Sequence, residues 1–186
     1  MLPCTLVNYK ISKKLERINW SKIGQTNPNN NFKYDIFFSG KQSTKYRSDL
    51  INFLKDKNYE FFGGLDSSRI PYNKFLEAIY DSSINLALEG KGEFTFRHLE
   101  ILASCSFMIC ESSINQLELP LPLKDGEHYV SFNNNDDLLE KIAFYLRNEQ
   151  LRNNIALNGR KVLEEYYSPK SHGNFILKKI FFNEKI

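Results

Sequence analysis

The chain reads as an α/β domain: a single Rossmann-like, doubly wound and mostly parallel sheet. Three observations predict this. Short apolar runs such as Tyr34–Ser39, Ile84–Leu88 and Phe107–Cys110 stop at glycine or polar residues. Longer stretches with apolar residues at helical spacing separate those runs. No internal repeat breaks the alternation. Strands joined by helices of this length form βαβ units, and such units stack into a parallel sheet.

Residues 1–33 form a basic, poorly periodic opening that reads as a linker and ends in the loop signal Asn27-Pro28-Asn29-Asn30-Asn31. The domain proper is expected over 34–167. Its first strand is Tyr34–Ser39, closed by Gly40, and a helix from Ser48 to Lys55 follows with Leu50, Ile51, Phe53 and Leu54 in register. Tyr59–Phe62 is a second strand, stopped by Gly63-Gly64. Pro71 suits the first turn of a helix over Tyr72–Tyr80. Strand Ile84–Leu88, helix Thr95–Ser104 and strand Phe107–Cys110 come next, then strand His128–Phe132. Asp136 or Asp137 can cap a helix through Arg147, and another runs from about Glu149 to Tyr166. Ser168-Pro169 breaks the chain before an amphipathic helix over Lys170–Phe182, so that 168–186 packs on this domain or on a partner.

Composition narrows the function. An apolar fraction of 41% is enough for a core, and a net charge of +3 is too mild to argue for nucleic acid. The apolar runs fall far short of the roughly 20 residues a membrane span needs. Met1-Leu2-Pro3-Cys4 lacks the regions of a signal peptide. Cys4, Cys105 and Cys110 form no C-x-x-C pair, which points to a reducing cytoplasm. His98, His128 and His172 lack metal-ligand spacing, so neither a metal nor another cofactor is expected. No phosphate-loop, dinucleotide-fold or serine-hydrolase motif is present.

Chemistry concentrates in Glu89-Gly90-Lys91-Gly92-Glu93-Phe94-Thr95-Phe96-Arg97-His98-Leu99-Glu100. A strand, a glycine turn and a helix in that order aim free backbone N–H groups above the strand, where the helix dipole favours an anion. Lys91 and Arg97 add full charge, and Glu100 supplies an acceptor pair able to hold a diol. Phosphate beside ribose points to a nucleotide. Gly40, Lys41 and Arg47, after the first strand, form a second candidate anion-binding group, because ligands of such sheets bind beyond the carboxyl ends of the strands. Each residue also has a plain alternative: Glu100 as a solvated helix carboxylate, Arg97 as its intrahelical partner, Glu93 as a complement to the helix dipole.

The run Gly92–Ala103 followed by Phe107-Met108-Ile109 resembles the F-R-x-x-E-x-x-A-x-G segment of glycosyltransferases of GT-B architecture, in particular the group 1 and spore-maturation-type families. Asp35–Gly40 with Arg47 and Leu50 is similar to the opening of their C-terminal domain, and Leu2-Pro3-Cys4 to the linker before it. Asp137–Ile142 with Tyr145-Leu146 resembles their helix after the last main strand, and Arg152–Gly159 their R-x-x-I-A-x-N-G segment. The capsule-associated O-glycosyltransferases share an arginine-bearing helix and a strand like His128-Tyr129-Val130. Two positions depart from the pattern. Glu93 stands one residue nearer to Glu100 than the first glutamate of the retaining signature, with Gly92 in its place, and Cys105 stands where a glycine is expected.

The resemblance implies the donor-binding half of a glycosyltransferase, taking a nucleotide-diphosphate sugar for transfer to a hydroxyl acceptor. Lys91, Gly92, Glu93, Arg97 and Glu100 would be its donor-binding residues, and no catalytic residue is assigned. An enzyme of this architecture has two Rossmann-like domains, so a separate N-terminal half or self-association is implied. A non-catalytic nucleotide-binding or regulatory module with the same fold is the alternative. A flavodoxin-like signalling domain fits less well, because Ser39-Gly40-Lys41 stands where an acidic cluster would end the first strand.

Overall fold

A computed structural model describes residues 32–66, 70–119, 121–166 and 169–182. Five strands form one sheet: β1 (Tyr34–Gly40), β2 (Phe61–Leu65), β3 (Ser82–Ala87), β4 (Met108–Glu111) and β5 (Val130–Phe132). The order is β2-β1-β3-β4-β5, and all four pairings are parallel. Helices α1 (Lys45–Lys55), α2 (Tyr72–Tyr80), α3 (Phe96–Ala103), α4 (Asn135–Arg147) and α5 (Glu149–Tyr166) connect and cover them. A final helix, α6 (Pro169–Leu177), continues into a π-helical turn over Lys178–Phe182. The expectation for residues 1–31 lies outside the described residues, as does Ser168.

Strand alternation divides the core into two layers. Phe37, Ala87, Met108 and Cys110 face one side, where they meet Phe75 and Ile79 of α2, Leu99 and Leu102 of α3, and Leu163 of α5. Ile36, Phe38, Ile84, Leu86, Ile109 and Val130 face the other, against Leu50, Ile51 and Leu54 of α1 and Leu138 and Ile142 of α4. Each fully buried side chain of this size stabilises the fold by about 1.5–3 kcal/mol. In α6, Phe175 is buried and Lys179 beyond it reaches Glu118 at 2.6 Å, while Leu177, Ile180 and Phe181 are exposed. No helix among the described residues is long and apolar enough to cross a membrane.

Two local expectations are corrected. Gly63 and Gly64 do not stop the second strand: β2 runs through them, and Gly63 pairs with Phe38. At φ 96° a Cβ on Gly63 would collide with the Phe38 carbonyl oxygen, so the glycine permits close approach rather than a turn. The cap of α4 is Asn134, whose side chain accepts from the Asp137 N–H at 3.0 Å, and neither Asp136 nor Asp137 serves. Asp137 instead accepts from the Asn133 N–H and pairs with Lys141.

Candidate functional site

Strand order reverses between β1 and β3, the place where doubly wound sheets open a crevice. The opening is visible in the register: β1 pairs β3 no further than Phe37 with Asn85, whereas β1 pairs β2 as far as Gly40 with Leu65. Backbone carbonyls freed by this divergence need donors. Two arginines supply them, one from each face. Arg97, in the first turn of α3, donates from Nη2 to the Ser39 carbonyl. Arg47, in the first turn of α1, donates to the carbonyls of Lys41 at 3.0 Å, of Leu88 at 2.6 Å and of Glu89. A Cβ on Gly40 would stand 3.6 Å from Arg47 Nη1, and one on Gly90 3.4 Å from Nη2, so the two predicted glycine loops meet across this guanidinium. Burial lowers the pKa of both arginines, and the charge of Arg47 lowers that of Arg97 further. The crevice thus holds two guanidinium groups within electrostatic reach of each other, with Glu100 beside Arg97 and Glu111 and Glu89 near Arg47.

Arg97 also fixes Glu100. Its Nη1 lies 3.1 Å from Glu100 Oε2, and its guanidinium stacks 3.9 Å from the centroid of Phe75 in α2. On the other side, Tyr72 hydrogen-bonds Glu100, and burial together with that carboxylate pushes the phenol up to about 12. Tyr72 itself stacks on Phe75 and is 38% exposed, so its ring forms part of the surface beside the carboxylate. The carboxylate is therefore oriented from two directions.

The α3 entrance is built by a local device. Thr95 is extended at the N-cap, and its N–H donates 3.0 Å to Nδ1 of His98. His98 thus stands where a capping box uses glutamate. It is fully buried against Phe94, and burial depresses its pKa to about 4, so it is neutral at physiological pH. Ahead of it Gly90 donates to the Gly92 carbonyl at 3.1 Å, and Lys91, Gly92 and Glu93 are exposed. The family described as "Glycosyl transferase-like" matches residues 45–178, more than half of the 186-residue chain. The chain belongs to that family. No curated protein matches it.

In this glycosyltransferase-like domain the predicted site residues fall into groups. Arg97 and Glu100 are brought together as one unit; Gly40, Gly90 and Arg47 meet at the crevice; Lys41, Lys91, Gly92 and Glu93 are exposed on the loops around it. Tyr72 and Glu111 were missed by sequence reasoning. Tyr72 follows Pro71 at the start of α2, and Glu111 closes the apolar strand β4, so both sit where the strand-end rule could have found them. Glu111 is half-buried, and its carboxylate accepts from the Glu89 N–H. Burial raises its pKa to about 7 against the pull of that bond and of Arg47.

The R-x-x-I-A-x-N-G resemblance proves to be architectural. Arg152 donates 2.7 Å to the Tyr145 carbonyl at the end of α4, and Arg160 donates to the Ala103 carbonyl at the end of α3. A Cβ on Gly159 would lie 2.6 Å from both the His128 carbonyl oxygen and Leu102. Cys105 adopts φ 51°. It donates to Leu102 O while Ser106 donates to Ile101 O, a Schellman motif with cysteine in the left-handed position that glycine usually fills. The departure from the family pattern thus carries about 1 kcal/mol of backbone cost.

Proposed function

We propose that this domain binds the nucleoside diphosphate of an activated sugar and serves as the donor-binding half of a glycosyl transfer reaction. The observation that carries the reading is Glu100, a carboxylate oriented by Arg97 and Tyr72 beside the β1/β3 crevice. A vicinal diol of ribose matches the paired oxygens of a carboxylate. The diphosphate would lie toward the start of α3, where first-turn N–H groups, Lys91 and the unused N–H donors of Arg97 face an anion. Lys41 stands at the other lip of the crevice, and Glu93 on the loop would reach the sugar. The protein's contribution is positioning together with stabilisation of the departing diphosphate. In this reading the sheet is one wall of a cleft, and the acceptor wall would come from another domain or chain.

Titration calorimetry with UDP, GDP and ADP tests the reading. One of the three should bind, and Glu100→Ala should weaken it by about 1–3 kcal/mol, the usual cost of stranding hydrogen-bonded groups. Absence of heat with all three at millimolar protein removes the nucleotide. Without a partner wall the chain should release diphosphate from activated-sugar donors more slowly than about 1 s⁻¹, the low end of ordinary enzymes.

A further inference from the structure

Glu111 has no part in that reading, yet it holds the root of the glycine loop. The last pair of the β3–β4 ladder is Ala87 with Cys110. One step further the ladder is continued by a side chain, because the Glu111 carboxylate accepts from the Glu89 N–H. The carbonyl of the same peptide plane, Leu88 O, accepts from Arg47 Nη2 at 2.6 Å, and Glu89 O accepts from that nitrogen too. A single peptide is thus gripped by a carboxyl oxygen from β4 and by a cation from α1 that is only 6% exposed. Beyond it the loop has little else to fix it. Gly90 turns onto Gly92, a Cβ on Gly92 would meet nothing within 4 Å, and Lys91 and Glu93 are exposed.

We infer that Glu111 is a positioning residue: with Arg47 it clamps the Leu88–Glu89 peptide and so sets where the Gly90–Gly92 loop presents its N–H groups and Lys91 to the donor diphosphate. The ligand in this inference rests on the donor-binding reading above; the clamp does not. The geometry is demanding at the side-chain oxygen. Glutamine keeps an acceptor at the same reach, aspartate withdraws it by one methylene, and alanine removes it.

Hydrogen–deuterium exchange of the full chain, followed by peptide, tests the clamp without any ligand. Amides 89–92 should exchange about tenfold faster or more in Glu111→Ala and Glu111→Asp, as expected when an amide loses its hydrogen-bond acceptor. Glu111→Gln should stay near wild type, and the β1 amides should be unchanged in all three. For whichever of UDP, GDP or ADP binds wild type, Kd should rise about tenfold in the Ala and Asp variants and recover in Gln, while urea midpoints move little. Should the alanine variant not fold, the Asp and Gln pair carries the same comparison. Loop exchange within twofold of wild type in the folded Ala or Asp variant overturns the clamp. A loosened loop with unchanged Kd overturns the positioning role. A loosened loop with no diphosphate binding to wild type leaves the clamp standing and removes the donor reading instead.

Discussion

At the amino edge of the sheet, Arg152 and Arg160 of α5 donate to the last carbonyls of α4 and α3, and Arg160 pairs with Glu164 on its own helix at 2.6 Å. At the carboxyl edge, Arg47 and Arg97 also donate to carbonyls, but those of diverging strand ends, and each acts beside a carboxylate from another turn or strand. The amino-edge arginines complete helix termini, and Glu164 beside them is 60% exposed and solvated. At the carboxyl edge Arg97 instead holds Glu100 in a fixed orientation beside the crevice. A buried arginine is therefore no mark of a site. What distinguishes the carboxyl edge is a charge that holds a second group in place at an opening in the sheet.

The comparison breaks most readily at Arg160. Arg160→Ala strands the Ala103 carbonyl at a buried helix end and should cost about 2–3 kcal/mol of stability, read as a shift in urea midpoint. Diphosphate affinity of the folded protein should not change; a loss of affinity would move this residue to the other class.

A pH profile comes next in size. Glu111 has a folded pKa of about 7 against an ordinary value of 4.5, so its protonated form is favoured by folding. Its contribution is fully present below pH 4.5 and is lost as pH rises toward 7, by about 1–3 kcal/mol after allowance for partial exposure. Facing it, Arg47 stays charged and Tyr46 stays neutral through this window, because its pKa is raised by burial and by Glu111 and Glu89. His98 works in the opposite direction, adding stability as pH rises from about 4 to 6.5. Subtracting the Glu111→Gln profile from wild type isolates the glutamate. A flat difference between pH 5 and 8 would show that Glu111 is ionised throughout.

Tyr72→Phe sharpens the carboxyl-edge class. Losing the phenol bond to Glu100 should raise Kd for the bound diphosphate about three- to tenfold, with a stability change under about 0.5 kcal/mol because the ring is retained. Lys91→Ala should have the smallest effect, about threefold at low salt and less at high salt, since an exposed ammonium acts through screened attraction. A larger loss would place Lys91 in direct contact with phosphate.

Elements governed by local chemistry were legible in the sequence. α2 begins after Pro71 as expected, α5 spans the expected residues, and the Gly90–Gly92 loop follows its strand. The misreadings share a cause. Gly63 looks like a strand terminator until the Phe38 carbonyl is brought over it, and Asp137 looks like a cap until Asn134 takes the position and Lys141 claims the carboxylate. Glu111 was invisible as a site residue because both groups that give it meaning, the Glu89 N–H and Arg47, arrive from other strands and helices. Arg97 and Glu100 were legible because they lie three residues apart on one helix.

The contacts that assemble the crevice also span long stretches of chain: Arg47 to Leu88 covers 41 positions and Arg97 to Ser39 covers 58. Neither can form until β1 and β3 have found each other across α1, β2 and α2, a closure whose entropy cost must be met before any of its bonds repay it. Assembly of the crevice and a long-range step of folding are thus the same event. An unfolded chain lacks the contacts that Arg47 and Arg97 make across the crevice, so a ligand seated there would select the finished sheet by mass action, and a rise in melting temperature with ligand concentration should report occupancy directly.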